Sequence, residues 1–398
     1  MTRQLSKLTS QFNASPTANL IAKIATLREA GQKIISLNIG EPDFPTPPNI
    51  KEAAIKAIND DFTKYTATAG ILPLRESIAD KLLHDNNLHY DVSEIAVTVG
   101  AKQAIACALM AIVGEGDEVI IPSPCYVSYP DMVKLAYATP VTVPLKGDNF
   151  DLDIEAIDQA VNEHTKAIII CTPNNPTGTV FSEASLRELA RLVLKHDLYI
   201  ITDEIYEKLI YDSHPHFSIA SISDEVKDHT ITINGFSKTY AMTGWRLGYV
   251  AANKNVIKAI VAILSQTTSA PASMVQMAAI EALKGPQDAV DEMVKQYDQR
   301  RRYCLKRLRA MNHVTCADSQ GAFYLFPDMS AYMGTSYGDY IIKDDYDLCH
   351  YLLESEHIAC VPGSVYHGPN HIRLSYSCSL DELKEAMDGI ENALTRLK

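Results

Sequence analysis

The chain has one tryptophan, Trp245, in 398 residues, and it lacks most of the features that would fix a protein class at once. No run approaches the roughly 18 apolar residues that a membrane span requires. The longest, such as AIIIC at 167–171, have strand length. Positive charge is scarce: 36 Lys and Arg face 49 Asp and Glu, a net charge of -13. That balance offers no basic field to a phosphate backbone and excludes nonspecific nucleic-acid binding. The eight cysteines, Cys107 to Cys378, form no C-x-x-C pair and sit mostly in apolar contexts. They predict reduced, buried thiols in a cytoplasmic protein. Walker loop, G-x-S-x-G, H-E-x-x-H and EF-hand patterns are absent. GEGDE at 114–118 reads as a turn, because a dinucleotide fingerprint needs a third glycine and a preceding strand. His214 and His216 make an H-x-H pair without a cluster of acidic or cysteine ligands nearby, so no metal site is expected.

What is present is a rhythm of short apolar strands and helical patterns. The predicted strands are IAVTV (95–99), EVIIP (118–122), TPVTVPL (139–145), KAIIICT (166–172), LYIITD (198–203), TITING (230–235) and RLGYVAA (246–252). They are Val/Ile-rich and continuous, as expected for strands covered on both faces. Alternation with helices implies βαβ units, hence an α/β fold with a mostly parallel central sheet sandwiched by helices. From about residue 290 a long charged helix leads to GAFYLF (321–326), a helix over DLCHYLLES, IACVPG and HIRLSYS (371–377), a smaller α+β domain. The expected division is a large domain over 49–290 and a small one over 291–398, with residues 1–48 joining the small domain.

Ligands of such sheets sit at the carboxyl ends of the strands. The polar residues that matter fall there. Lys238 lies in the link between two apolar strands, where desolvation would lower its pKa and make it a nucleophile toward carbonyls. Arg246 opens the next strand, where a guanidinium calls for an anion such as phosphate. Asp203 ends LYIIT, and Tyr206 would share its face on the helix that follows. Gly100-Ala101-Lys102 starts a helix directly after a strand, an anion-binding position. PNNPTG (173–178) brings two asparagine amides to the same edge. Arg373 lies in an apolar strand of the second domain and calls for a carboxylate. Each has an ordinary alternative: a loop lysine, an Arg–carboxylate pair, a helix cap, a plain turn. Together they match what pyridoxal phosphate requires, namely an amine nucleophile, a phosphate cradle and an acid for the pyridine nitrogen.

FSKTYAMTGWRLGY (236–249), with Gly235 before it, resembles the lysine signature of fold-type I, class I/II pyridoxal-phosphate aminotransferases. The resemblance runs along nearly the whole chain, through LNIGEPDFPTP (37–47), KYTATAGILPLRESIA (64–79), TVGAKQA (98–104), PSPCYVSYP (122–130), PNNPTG, TDEIY (202–206), GAFYLF and HIRLSYS. It is nearest the prokaryote-type aspartate aminotransferase branch. The resemblance implies that Lys238 bonds the cofactor and shuttles a proton. Asp203 would pair with the ring nitrogen, and Tyr206 with the ring oxygen, assisted by Asn175. Tyr126 would stack on the ring. The Ala101 and Lys102 N–H groups and Arg246 would hold the phosphate, with Tyr65 supplied by the other subunit of a homodimer. Gly235 departs from the family, where a serine is common, and Ser237 is the candidate to compensate. Arg373 would take the substrate α-carboxylate beside the Gly40 backbone, with Asn175 and Tyr126 near it. Ser15, Thr17 and Lys102 match residues that read a distal carboxylate, which favours L-aspartate with 2-oxoglutarate over an aromatic or prephenate substrate or a C–S lyase reaction. They also argue against a cleaved leader, although residues 1–28 carry basic and hydroxyl residues and no acid, as a transit peptide does.

Overall fold

The structure is a computed structural model that describes residues 18–398 together with Arg3, Ser6 and Thr9. A short strand, β1 (Ile35–Ser36), precedes the central sheet. That sheet is built from β2 (Ile95–Thr98), β3 (Glu118–Ser123), β4 (Thr139–Pro144), β5 (Thr165–Cys171), β6 (Tyr199–Asp203), β7 (Thr230–Gly235) and β8 (Gly248–Ala251). The strand order is β2-β8-β7-β6-β5-β3-β4. The pairings from β7 to β4 are parallel, while β8 runs antiparallel to both β7 and β2. The mostly parallel sheet expected from the sequence is therefore present.

Burial on both faces explains why the strands read as continuous apolar runs. Along β5, Ala167, Ile169 and Cys171 belong to one core with Ala104, Ile105 and Ala108 of the helix Gly100–Ile112. Ile168 and Ile170 belong to another core, with Leu186, Leu189 and Val193 of the helix Glu183–His196. That second helix is specified locally. The Ser182 hydroxyl accepts from Ser185 N at 3.1 Å, the apolar residues recur at helical spacing, and Asp197 ends it in the left-handed region.

The C-terminal part contributes β9 (Tyr324–Leu325), β10 (Ser336–Tyr337), β11 (Tyr340–Ile341), β12 (Ile358–Ala359), β13 (Val361–Pro362) and β14 (Ile372–Ser375). A three-stranded antiparallel sheet, β13-β14-β9, holds Arg373 in its middle strand. β1 pairs in parallel with β12, so the segment before residue 40 is stitched to the C-terminal part. The 23-residue helix Asp288–Ala310 connects the two parts. Its buried Arg300 donates to Asp43 Oδ1 at 2.8 Å, tying the segment after β1 to the helix.

Two local expectations need correction. The segment after Asp203 is not a helix. It is a turn, with Glu207 N donating to Glu204 O at 2.9 Å and Leu209 N to Tyr206 O at 2.8 Å. Arg246 does not open a buried strand. It is exposed and left-handed, with φ of 55°, at the end of the short 3-10 turn Thr243–Trp245, two residues before β8.

Candidate active site

A cavity of about 330 Å³ opens at the carboxyl edge of β5, β6 and β7 and is closed by residues of the C-terminal sheet. It gathers Gly40, Ala101, Lys102, Tyr126, Asn175, Asp203, Tyr206, Ser237, Lys238, Arg246 and Arg373. Eleven positions singled out in the sequence thus share one wall. Tyr65 lies elsewhere and is 99% exposed. Ser15 and Thr17 fall outside the described residues.

Lys238 follows β7 by three residues, and its ammonium donates to Gly40 O at 2.5 Å. Nζ also lies 5.9 Å from the Tyr206 ring centroid and 5.8 Å from that of Phe323. Burial, then the Arg373 charge, lowers its pKa to about 8. Asp203 ends β6, and burial pushes its carboxyl up to about 6 against the pull of two donors. Those donors are Tyr129 Oη, 2.8 Å from Oδ2, and Ile205 N, 3.2 Å from Oδ1. A carboxylate so placed is stabilised by a cation.

Two arginines supply the opposite charge without a carboxylate of their own among the described residues. Arg373 is 5% exposed and has no ion pair among the described residues. Its Nη1 donates to Asn175 Oδ1 at 3.2 Å and its Nη2 to Asn38 O at 2.8 Å, while Nε has no partner. The guanidinium lies 4.5 Å from the Tyr324 ring centroid and 5.1 Å from that of Tyr366. A buried guanidinium left with an idle N–H in a cavity is a receptor for a carboxylate. Gly40 is beside it: a Cβ there would lie 3.0 Å from Tyr324 Oη and 3.9 Å from both Arg373 terminal nitrogens.

Arg246 bonds Thr243 O at 2.8 Å and lies against the start of the helix Gly100–Ile112. A Cβ on Gly100, whose φ is +78°, would fall 2.5 Å from Arg246 Nη2. One on Gly248 would fall 2.5 Å from Ala101 N. The helix carries no side-chain cap, so its first N–H groups, the guanidinium and the buried Ser237 form one cradle for an anion. Gly235 has a packing reason of its own: a Cβ would meet Gly248 Cα and Leu247 O at 3.0 Å across the β7–β8 pair.

Tyr206 is held by a 2.9 Å hydroxyl contact with Tyr324. Tyr126 packs edge-on to Tyr129, with centroids 5.4 Å apart. Lys102 is exposed at the rim, 3.2 Å from Ser128 Oγ and 5.5 Å from the Tyr126 ring centroid. Tyr129, Tyr324 and Tyr366 received no role from the sequence. The first two sit inside PSPCYVSYP and GAFYLF, and their aromatic character close to polar turns was the available signal.

The histidine expectation also changes. Glu204, Glu207 and His216 bring ligand atoms within 4.8 Å of one another, so acids do cluster at His216. They arrive from a turn nine and twelve residues earlier, out of reach of a local motif.

A buried lysine and an acid at the carboxyl edge of this sheet, with two arginines that form no ion pair among the described residues, are the arrangement of a fold-type I aminotransferase. The family model "Aminotransferase class I and II" matches residues 32–390. A protein of Aquifex aeolicus described as a probable aspartate/prephenate aminotransferase is 43% identical over 400 residues, covering 100% of both chains. The aspartate aminotransferase of Bacillus subtilis is 42% identical, covering 98% of each. The crystal structure of the aspartate aminotransferase from Rhizobium meliloti superposes with a TM-score of 0.97 at 38% identity, covering 100% of both. The chain belongs to the class I and II aminotransferase family, and it is an aminotransferase.

Proposed function

We propose that the chain uses pyridoxal 5'-phosphate to exchange an amino group between L-aspartate and 2-oxoglutarate. The observation that carries the reading is Arg373, a buried guanidinium in the same cavity as Lys238 that has, among the described residues, no acidic partner and an idle Nε. The residues present fit the cofactor. Arg246, the Ala101 and Lys102 N–H groups and Ser237 would hold its phosphate, and Asp203 its ring nitrogen. Tyr206 and Asn175 would meet the ring oxygen, and Tyr126 the ring face. When bound, this cofactor supplies an electron sink for the bond being broken at the substrate Cα.

The chain's own residues do the rest. Arg373 binds the α-carboxylate and orients the amino acid. Lys238 Nζ, whose lowered pKa leaves a usable fraction as free amine, takes the Cα proton. Asp203 would carry the negative charge that keeps the ring nitrogen of a bound cofactor protonated. The amino group is stored in the first half-reaction and returned to an oxo acid in the second, giving ping-pong kinetics.

Lys102 would read the distal carboxylate, together with Ser15 and Thr17. Its position at the rim with no ion pair among the described residues supports this, as does the description of the relatives as aspartate or aspartate/prephenate aminotransferases. The exposed Tyr65, with Ile55, Ile58 and Phe62 exposed shortly before it in the sequence, supports a homodimer with shared sites. Eight free thiols, seven of them buried, support a reducing, cytoplasmic setting. The β1–β12 pairing supports grouping residues 1–48 with 291–398 as one domain beside 49–290.

An amino-donor panel with 2-oxoglutarate as acceptor, run on the wild type and Lys102→Ala, tests the substrate. A loss in the variant confined to dicarboxylic donors is expected. Full activity with phenylalanine and none with aspartate would overturn the assignment in favour of the aromatic alternative.

A further inference from the structure

The turn after β6 has two sides. Asp203 and Tyr206 line the cavity. Glu204 and Glu207, the residue after each, take no part in the lining and enter a second polar cluster with Lys81, Asn86, His216 and Ser218. Glu204 is 0% exposed and Glu207 is 7% exposed. Buried carboxylates so close together are costly unless each is paired and hydrogen-bonded. Both are. Glu207 forms an ion pair with Lys81 and accepts from Asn86 Nδ2 at 2.7 Å. Glu204 accepts from Ser218 Oγ at 2.6 Å and contacts His216 Nε2 at 2.8 Å. Asn86 joins the halves, reaching Ser218 Oγ at 2.9 Å and accepting from Lys81 at 2.6 Å.

The charges nearly balance. Glu204 and Glu207 face one permanent cation, Lys81, whose Nζ also lies 4.0 Å from Asp85, itself paired with Lys208 at 2.9 Å, and a protonated His216 would supply the remaining positive charge. Burial opposes the charged form of Glu207, but Lys81, then His216, outweigh it and hold the carboxyl at about 2. Burial likewise opposes His216⁺, and Glu204, then Glu207, outweigh it and raise the imidazole, with Lys81 opposing. Glu204 and Glu207 face His216 from the β6 turn and Lys81 from the helix Leu72–Asn86, with Asp85 of that helix behind Lys81. The same Glu204 charge acts on Asp203, one residue away, and raises it.

We propose that this cluster is the positioning device of the active site: it anchors from behind the turn that presents Asp203 and Tyr206, and the charge on His216 sets the field at Asp203. The proposal rests on the cofactor reading above. Removing the His216 charge leaves Glu204 uncompensated and favours protonation at the groups facing Asp203. Removing the Glu204 charge does the reverse. A scaffold with no electrostatic role predicts no such opposition of sign.

The test uses the enzyme loaded with pyridoxal phosphate, as wild type, His216→Gln and Glu204→Gln. Circular dichroism establishes the fold, and the pH midpoint of the bound cofactor's visible absorbance is titrated. His216→Gln is expected to raise the midpoint and Glu204→Gln to lower it, each by about half a pH unit or more. Shifts of the same sign, or none in folded variants, overturn the proposal. Should His216→Gln fail to fold, Glu204→Gln decides alone: a downward shift supports the device and an unmoved midpoint refutes it. A wild-type absorbance that survives Lys238→Ala removes the cofactor reading, and the proposal with it.

Discussion

Lys238 Nζ donates to the Gly40 carbonyl at 2.5 Å, bringing the amine after β7 against the segment after β1. The ammonium has this neutral acceptor and no ion pair among the described residues. Burial, then Arg373, lowers its pKa to about 8, outweighing the opposing pull of the Glu41 and Asp203 carboxylates. At pH 7 about a tenth of the side chain is free amine, against well under a thousandth at the ordinary lysine pKa. The sign follows: the reactive form increases as pH rises and saturates above pH 8. Cofactor-free enzyme mixed with pyridoxal phosphate should capture it at a rate that climbs about tenfold per pH unit below that midpoint. Lys238→Ala should show no capture and no turnover. A midpoint above pH 10 in stopped-flow absorbance would contradict the desolvated lysine.

Gly100 and Arg246 form the second relationship. Gly100 has φ of +78°, and a Cβ would sit 2.5 Å from Arg246 Nη2. Gly100→Ala therefore strains the backbone and displaces the guanidinium from the helix start at the same time. The expected cost is about 1–3 kcal/mol, read as a cofactor dissociation constant about five- to 150-fold higher. Gly114→Ala is the control, because a Cβ there meets nothing within 4 Å. Equal affinities in the two variants, measured by fluorescence titration, would show that the cradle is not the phosphate site.

The sheet was legible because its strands are covered on both sides. Ile168 and Ile169 face different cores, so no polar residue interrupts KAIIICT, and length alone marks the strand. The reversal of β8 was not legible. RLGYVAA carries no sign of direction, which is set by the short 3-10 turn that brings Gly248 against Gly235. EIYEKLI carried helix-like residues, yet Glu204 and Glu207 are drawn to Lys81 and His216, and the chain turns to satisfy them. Tertiary ion pairs overrode local propensity there. The site was legible as a set of polar positions at strand ends, because topology puts such ends on one edge. The partners of those positions were not: Tyr129 reaches Asp203 from 74 residues away, and Tyr324 reaches Tyr206 from 118.

Tyr129 gives the sharpest test of the acid. Its hydroxyl is buried and donates to Asp203 Oδ2 at 2.8 Å, beside the weaker 3.2 Å bond from Ile205 N. Burial is the larger influence and raises the Asp203 carboxyl; Tyr129 opposes it, and the balance lies at about 6. Tyr129→Phe keeps the ring and removes the donor. A hydrogen bond to a charged group contributes about 1.5–3 kcal/mol, so the carboxyl should rise by roughly one unit or more. A carboxyl with a raised pKa binds its proton at higher pH, and the charged form is lost sooner as pH falls. The acidic limb of the kcat profile should therefore move to higher pH, with kcat at pH 7 reduced several-fold. KM for the amino donor should change little, since Arg373 is untouched. A kcat profile that superimposes on the wild type would show that Asp203 holds its charge without Tyr129.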